Sequence, residues 1–145
     1  MIKVGVIPCY KTPKAAIKVV EEAIQFLDIV ICVDDFCPMK TGSNIDSYFN
    51  NEKIYILYHS ANKGVGGAMK TGFKLALDLG ADIVIKIDSD GQMPPHLIPE
   101  LIKPIENKKA EFSKGNRFRN TNIISKMPKI RLFGNFFLSF LTKLS

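Results

Sequence analysis

Short apolar runs alternate along the chain with segments whose apolar residues recur at helical spacing. Runs of about six residues rich in Val and Ile predict buried strands, and recurrence every three or four positions predicts helices with one buried face. The predicted strands are Ile2 to Ile7, Asp28 to Val33, Lys53 to Tyr58 and Asp82 to Ile87, with a fifth at Glu111 to Lys114. The predicted helices are Pro13 to Leu27, Asn44 to Asn50, Gly66 to Leu79 and Pro94 to Ile105.

Residues at the ends of two predicted helices support these boundaries. Thr12 precedes Pro13, which is the pattern of an N-cap followed by proline at the first helical position. Gly80 follows Leu79 at a position where glycine commonly ends a helix. Strands alternating with helices predict an α/β fold, a mostly parallel, Rossmann-like sheet flanked by helices on both faces.

Polar residues follow each of the four main predicted strands. They are Pro8 to Tyr10, Asp34-Asp35, Asn62 to Gly64, and Asp88 to Asp90. Because parallel strands end at the same edge of a sheet, all four segments are expected to meet there, and that edge is where such sheets bind ligands.

The pair Asp88 and Asp90 is the candidate metal site. Two carboxylates one residue apart, in a turn after the strand IVIKI, can converge on a hard divalent cation such as Mg²⁺ or Mn²⁺. Such a cation would hold a diphosphate and offset charge developing on it. The alternative is a polar turn without a ligand.

Asp34 and Asp35 are candidates for contacts with a nucleoside. A carboxylate at a strand end commonly accepts hydrogen bonds from a ribose in such sheets. The alternatives are helix capping and a solvated turn.

The segment ANKGVGGAMKTG, residues 61–72, is nearly a P-loop. Lys70-Thr71 fills the last two positions of G-x-x-x-x-G-K-[ST], but Met69 stands where the second glycine is needed. We therefore expect Gly64, Gly66 and Gly67 to turn the chain from strand into helix instead. Gly72 would let that helix pack closely on the sheet, and Lys70 would lie on an exposed face.

Composition adds limits on partners and compartment. The chain has 145 residues and a formal net charge of +6, which suits an anionic partner such as a nucleotide or an acidic membrane surface. Cys9, Cys32 and Cys37 lack metal-ligand spacing, and without a signal peptide they predict buried free thiols in the cytoplasm. We expect no nucleic-acid binding, because no stacking platform or known motif is present, and no run of about 18 apolar residues predicts a clear membrane span.

Taken together, these motifs resemble the N-terminal part of a family-2 inverting glycosyltransferase with a GT-A fold, in the branch of dolichyl- and polyprenyl-phosphate sugar synthases. The matching segments are VGVIPCYK, CVDD, NKGVGGAMKTGFKLA, IKIDSDGQMPPHLIPELI and KGNRF.

The resemblance implies transfer of a sugar from a UDP- or GDP-linked nucleotide sugar, with Mg²⁺ or Mn²⁺ on the diphosphate and a polyprenyl phosphate as a candidate acceptor. It implies a metal site at Asp90 and Asp88, with Asp88 also near the ribose. It implies the following nucleotide-binding residues: Pro8, Tyr10, Asp34, Asp35, Asn62, Lys63, Lys70 and Asp88. Lys11 stands where the family usually has Asn, and Phe36-Cys37 stands where Gly-Ser is usual, so we expect that loop to take another path.

Residues 1–118 are expected to form the nucleotide-sugar-binding domain, and 119–145 an amphipathic segment that begins the acceptor side. The segment IRLFGNFFLSFLTKL has the basic, aromatic character of a peripheral membrane contact on the cytoplasmic face, or of a core helix. We expect the acceptor-side acidic residue to lie beyond Ser145, so that this chain is truncated and binds nucleotide with little or no transfer.

Two other function classes are compatible with carboxylates on a parallel sheet. A nucleotidyltransferase would typically carry a Gly-rich loop directly after the first strand, and VIPCYKTPK has none. A non-catalytic nucleotide- or metal-binding module would bind nucleotide but transfer nothing.

Overall fold

A computed structural model describes residues 1–115, of which 1–110 form one unit built around a four-stranded parallel sheet. The predicted boundary between residues 118 and 119 and the amphipathic segment 119–145 lie outside the described residues. The strands are Lys3–Cys9 (β1), Ile29–Asp34 (β2), Ile54–Tyr58 (β3) and Ile83–Lys86 (β4). The helices are Pro13–Ala23 (α1), Thr41–Tyr48 (α2), Gly64–Asp78 (α3) and Ile98–Glu106 (α4), with a 3-10 turn at Pro95–Leu97.

The sheet has the strand order β3-β2-β1-β4, and its alternating side chains enter two cores. Val4 and Val6 of β1 pack with Ala68 of α3, whereas Ile7 and Cys9 pack on the face that carries α1, α2 and α4. All four of these β1 side chains are fully buried. The predicted α/β fold with helices on both faces is confirmed.

The strand order determines where a crevice opens. The chain leaves β1 through α1 on one face toward β2 and β3, and returns through α3 on the other face to β4, on the opposite side of β1. The connections therefore diverge beyond the carboxyl ends of β1 and β4, which is where doubly wound sheets bind ligands.

Gly72 brings α3 close to the sheet, as predicted. A Cβ atom at this position would clash with Cγ1 of Val6 and lie 3.3 Å from Cγ2 of Val33. Because both neighbours are β-branched and buried, neither can easily move aside.

The glycines at the start of α3 differ in what they do. Gly64, the first residue of the helix, has φ +72, a conformation that glycine adopts without strain. Gly66 and Gly67 already lie within the helix rather than in the turn before it, so the predicted turning role is confirmed for Gly64 alone. Lys70 is exposed, as expected.

All four predicted helices differ in extent from the structure: α2 begins at Thr41 rather than Asn44 and ends at Tyr48 rather than Asn50, and α3 is displaced by one or two residues at its ends. α1 ends at Ala23 rather than Leu27, because residues 24–26 turn the chain back toward β2, although Leu27 is still buried. The helix predicted from Pro94 begins instead as the 3-10 turn, closed by a hydrogen bond from the Leu97 N–H to the Pro94 carbonyl.

The fifth strand predicted at Glu111 to Lys114 is wrong, since residues 111–115 contain no strand. The segment EFSK has one large apolar side chain, Phe112, and it is 79% exposed. Nothing in this segment supplies the buried face that stabilises a strand.

All three cysteines are buried and form no disulfide with one another. A hydrogen bond with Cys32 and burial raise the pKa of the Cys9 thiol well above its ordinary value. The predicted burial of these thiols is confirmed.

Two of the three positions that depart from the family pattern, Lys11 and Phe36, have left-handed backbone. Lys11 has φ +58 and Phe36 has φ +54, conformations that the usual Asn and Gly tolerate better than Lys or Phe. The Lys11 N–H donates to Sγ of Cys37 over 3.0 Å, so the two departing segments contact each other. The expected difference in loop path stays a prediction.

Phe36→Gly is expected to stabilise the protein. The left-handed conformation costs a non-glycine residue more than glycine loses in backbone entropy, and the 61% exposed ring loses little burial, so we expect a gain of about 0.5–1 kcal/mol. Urea unfolding measures it, with Leu77→Gly on the exposed side of α3 as the control, expected to destabilise by about 1 kcal/mol. Equal destabilisation by both changes would contradict the strain at Phe36.

Candidate functional site

A cleft of about 380 Å³ opens at the carboxyl edge of the sheet, and we call it the carboxyl-edge cleft. It is lined by residues that follow all four strands, so the predicted convergence is found in the structure. The predicted site residues among its lining are Pro8, Tyr10, Asp35, Asn62, Asp88 and Asp90.

A hydrogen bond joins the loop after β1 to the loop after β4, at the crevice between these two strands. Thr12 occupies the predicted N-cap position of α1, but its side chain does not cap the helix. Its hydroxyl instead donates to Oγ of Ser89 over 2.8 Å, inside the turn from Asp88 to Asp90, which we call the acidic turn. The predicted capping role of the Thr12 side chain is therefore wrong, and the residue ties the turn to β1.

Both carboxylates of the acidic turn reach the cleft. Asp88 Oδ1 pairs with Nζ of Lys86 at 2.6 Å, and Asp90 Oδ1 accepts the Gln92 N–H at 2.9 Å. Side-chain exposures of 44% for Lys86 and 32% for Asp88 make that pair a solvated one that another cation can displace.

The acidic turn has the chemistry of a Mg²⁺ or Mn²⁺ site completed by a ligand. Within residues 1–115 no group of three or more acidic, His or Cys side chains could enclose a metal ion. Mg²⁺ is commonly held by only one or two carboxylates together with substrate phosphates and water, so Asp88 and Asp90 fit a cation that arrives with a diphosphate.

Asp35 is held rigidly at the edge of the cleft. Its Oδ1 accepts the Lys63 N–H over 2.8 Å and lies 2.6 Å from Nδ1 of His59, and its carbonyl accepts the Asn62 amide over 3.2 Å. Burial acts to raise the pKa of Asp35, but the hydrogen bonds from His59 and from backbone N–H groups outweigh it, and the pKa is lowered.

The lowered pKa of Asp35 predicts a loss of stability in acid. The Asp35 carboxylate takes up a proton more readily in the unfolded chain than in the folded protein. The stabilisation that the ionised carboxylate gives to the fold is therefore complete above about pH 5 and is lost as the pH falls through the folded pKa. We expect the difference in unfolding free energy between wild type and Asp35→Asn to shrink between about pH 5 and pH 3. Urea unfolding at several pH values measures this, and a difference that stays constant would contradict it.

The neighbouring Asp34 has a different environment. It is 5% exposed, is not among the residues that line the cleft, and accepts the N–H groups of Cys37 at 2.7 Å and Gly42 at 2.6 Å. Because Gly42 lies in the first turn of α2, Asp34 satisfies a free N–H at that helix start, the capping alternative considered for this pair.

The two predicted lysines are also absent from the lining of the cleft. Lys63 contributes its backbone N–H to Asp35, and the side chains of Lys63 and Lys70 are exposed.

His59 is a site residue that the sequence analysis missed. It follows β3 directly and connects Asp35 to Oγ1 of Thr71, which lies 2.9 Å from its Nε2. The sequence did contain a signal for it: His59 is the first polar residue after an apolar strand, and the other candidates were predicted from the same kind of position.

A second cleft of about 560 Å³ adjoins the first and shares with it Asp90. It runs between α1 and the turn at Pro94 to His96. None of the other predicted site residues lines it, so the convergence of candidate residues belongs to the carboxyl-edge cleft.

Among the described residues, no helix has the length and apolarity needed to cross a bilayer.

Comparisons with known proteins agree on one family. Residues 6–144 match the model of glycosyl transferase family 2. The chain is 44% identical over 90 residues, 62% of its length, to the UDP-N-acetylglucosamine--dolichyl-phosphate N-acetylglucosaminyltransferase of Methanococcus voltae. It is 29% identical over 97 residues, 66% of its length, to the undecaprenyl-phosphate mannosyltransferase of Micrococcus luteus. It is 27% identical over 113 residues, 77% of its length, to the dolichol-phosphate mannosyltransferase of Pyrococcus furiosus.

These alignments cover 36%, 39% and 31% of the three relatives, so the chain spans well under half the length of each. The family match covers nearly the whole chain, and it includes every residue that lines the carboxyl-edge cleft. The chain belongs to glycosyl transferase family 2.

Proposed function

We propose that the carboxyl-edge cleft binds a UDP- or GDP-linked sugar, and that the protein transfers this sugar to a polyprenyl phosphate. One observation carries the proposal: the acidic turn after β4 and the residues after β1, β2 and β3 line a single cleft. A carboxylate that can accept a hydrogen bond from a base and an acidic turn that can hold a metal-bound diphosphate line one cleft, so a single nucleotide sugar could contact both.

The base end of the donor is assigned to Asp35. Its carboxylate is ionised at neutral pH and lies in the cleft, where it can accept a hydrogen bond from an N–H group of the base. Pro8, Tyr10 and Asn62 form the adjoining wall, with Tyr10 42% exposed and accessible to a ring. Both oxygens of Asp34 are already engaged by backbone N–H groups, so we place the base contact on Asp35.

We assign the diphosphate of the nucleotide sugar to the acidic turn. Asp90 and Asp88 would hold Mg²⁺ or Mn²⁺, which when bound offsets the charge on the leaving nucleoside diphosphate. Asp88 would also contact the ribose, and release from Lys86 would free its Oδ1 for this. The exposed side chains of Lys63 and Lys70 would approach the nucleotide from outside the cleft.

A phosphate acceptor is compatible with the residues assigned to the cleft, none of which is assigned as a general base. A phosphate anion can attack without prior loss of a proton, so a general base is not required, in contrast to a hydroxyl acceptor. The names of the three relatives include dolichyl, undecaprenyl and dolichol phosphates. The net charge of +6 favours peripheral association with an anionic, cytoplasmic membrane surface.

Calorimetric titration with UDP and GDP, each with and without Mn²⁺, tests the donor site. We expect one of the two nucleotides to bind, with an affinity at least about tenfold higher when Mn²⁺ is present. Equal binding with and without the metal would contradict the assignment of the acidic turn.

Product analysis tests the reaction class. With a labelled nucleotide sugar and vesicles containing polyprenyl phosphate, glycosyl transfer places the label in the lipid and releases a nucleoside diphosphate. Nucleotidyl transfer from the same donor would instead place the nucleoside monophosphate on the acceptor and release the label as sugar 1-phosphate.

A further inference from the structure

His59 is buried and hydrogen-bonded through both ring nitrogens. Its Nδ1 lies 2.6 Å from Oδ1 of Asp35, its Nε2 lies 2.9 Å from Oγ1 of Thr71, and its backbone N–H donates to the Asp34 carbonyl. The His59 and Asp35 side chains are 4% and 5% exposed. A chain of hydrogen bonds therefore runs from α3, through the end of β3, to the end of β2.

The chain of hydrogen bonds reaches the carboxyl-edge cleft through Asp35. His59 is not among the residues that line the carboxyl-edge cleft, whereas Asp35 is. A carboxylate can rotate about its side-chain torsions, and His59 together with the Lys63 N–H fixes Oδ1 and thereby the plane of the group.

The hydrogen bonds have a defined direction. An ionised Asp35 can only accept, so Nδ1 of His59 must carry the proton that points to it. In a neutral imidazole Nε2 is then an acceptor, and the Thr71 hydroxyl donates to it. Asp35 therefore sets the tautomer of His59, and the Thr71 hydroxyl, which can donate or accept, holds the other side of the ring in place.

We propose that His59, oriented by Thr71, is a positioning residue that sets nucleobase selectivity by fixing the Asp35 carboxylate toward the base. This rests on the proposed function, in which Asp35 faces the base of the donor. A fixed carboxylate accepts from the ring N–H of uracil or guanine. It repels the ring nitrogen lone pair that cytosine or adenine presents at the same position.

Two substitutions of His59 separate positioning from stability. The amide nitrogen of Asn can occupy nearly the place of Nδ1, so His59→Asn retains a donor to Asp35. The amide of Gln lies nearer the place of Nε2, so His59→Gln leaves Asp35 without this donor. Both changes remove the buried ring, so a merely structural histidine predicts similar behaviour for the two variants.

The test is calorimetric titration, with Mn²⁺ present, of UDP against CDP and of GDP against ADP. In the pair that wild type binds, we expect a preference of about tenfold or more for the base with the ring N–H, because the mismatched base leaves Asp35 unpaired. We expect this ratio to fall to about threefold or less in His59→Gln, to be largely kept in His59→Asn, and to fall partly in Thr71→Val. His96→Gln, at the protein's other histidine, which is exposed, should leave the ratio unchanged.

A folded His59→Gln with the wild-type ratio, or equal ratios in His59→Gln and His59→Asn, would overturn the positioning role and leave the donor site standing. If His59→Gln does not fold, Thr71→Val decides alone, and an unchanged ratio in it overturns the role. Wild type that binds none of the four nucleotides would overturn the proposed function and this inference together.

Discussion

Asp90→Ala is expected to lower the affinity for UDP or GDP in the presence of Mn²⁺ by about tenfold or more, removing most of the enhancement by the metal, since it removes one of the two protein ligands assigned to the cation. Affinity measured without Mn²⁺ should not fall and should rise slightly, because Asp90 repels the diphosphate when no cation lies between them. Calorimetric titration of wild type and variant under both conditions measures the two effects.

Asp78→Ala is the matched control for this prediction. Asp78 is an exposed aspartate at the end of α3, and its removal changes the net charge by the same amount without touching the cleft. Equal losses of affinity in the two variants would reduce the role of Asp90 to general electrostatics. Unchanged Mn²⁺-dependent binding in Asp90→Ala would contradict the metal assignment.

Gly72→Ala is expected to destabilise the protein by about 1–3 kcal/mol, although alanine is the better helix former. The added methyl group would clash with Val6, a stiff β-branched residue in the inner strand β1, and lie 3.3 Å from Val33 of the inner strand β2. The helix must then move away from the sheet and lose packing along its buried face. Denaturant unfolding gives the free energy of unfolding directly.

The same substitution six residues earlier should have the opposite sign. Gly66 lies in the first turns of α3, and a Cβ atom there would meet open space. Gly66→Ala should therefore stabilise the protein by about 0.5–1 kcal/mol through lower entropy of the unfolded chain. Destabilisation of similar size in both variants would mean that helix approach to the sheet is not what Gly72 provides.

The arrangement of the sheet was predictable because buried parallel strands leave a simple sequence signal. β1 and β2 are continuous apolar runs, since both of their faces are covered by helices. Because the strands are parallel, the residues after them had to meet at one edge, and six of the nine predicted site residues line the carboxyl-edge cleft. The rule identifies an edge of the sheet and does not fix the direction of each side chain.

The difference between Asp34 and Asp35 shows that limit. The two residues are adjacent, but Asp34 pairs with backbone at the start of α2 while Asp35 lies in the cleft. Which carboxylate faces the ligand depends on where the N–H groups of α2 come to lie, and those positions are set by tertiary contacts. The Thr12 hydroxyl is similar, because its partner Ser89 is 77 residues away in the sequence.

His59 shows the opposite case, in which a signal was present and was not used. It stands at the end of an apolar strand like the other candidates, but a histidine next to a tyrosine in KIYILYH gives no local motif. Its role depends on Asp35 and Thr71, which come from two other elements of the fold.

The central claim is that cation, diphosphate and base share the cleft at the carboxyl edge. The most direct test is paramagnetic broadening of amide NMR signals by a small amount of Mn²⁺ in the presence of the nucleotide that binds. We expect signals from Asp35, Asn62 and the turn at Asp88 to Gly91 to weaken together, while signals at the amino edge, such as Asp28 and Asn51, keep their intensity. Strong broadening at Asp28 and Asn51, with Asp35 and Asn62 unaffected, would contradict it.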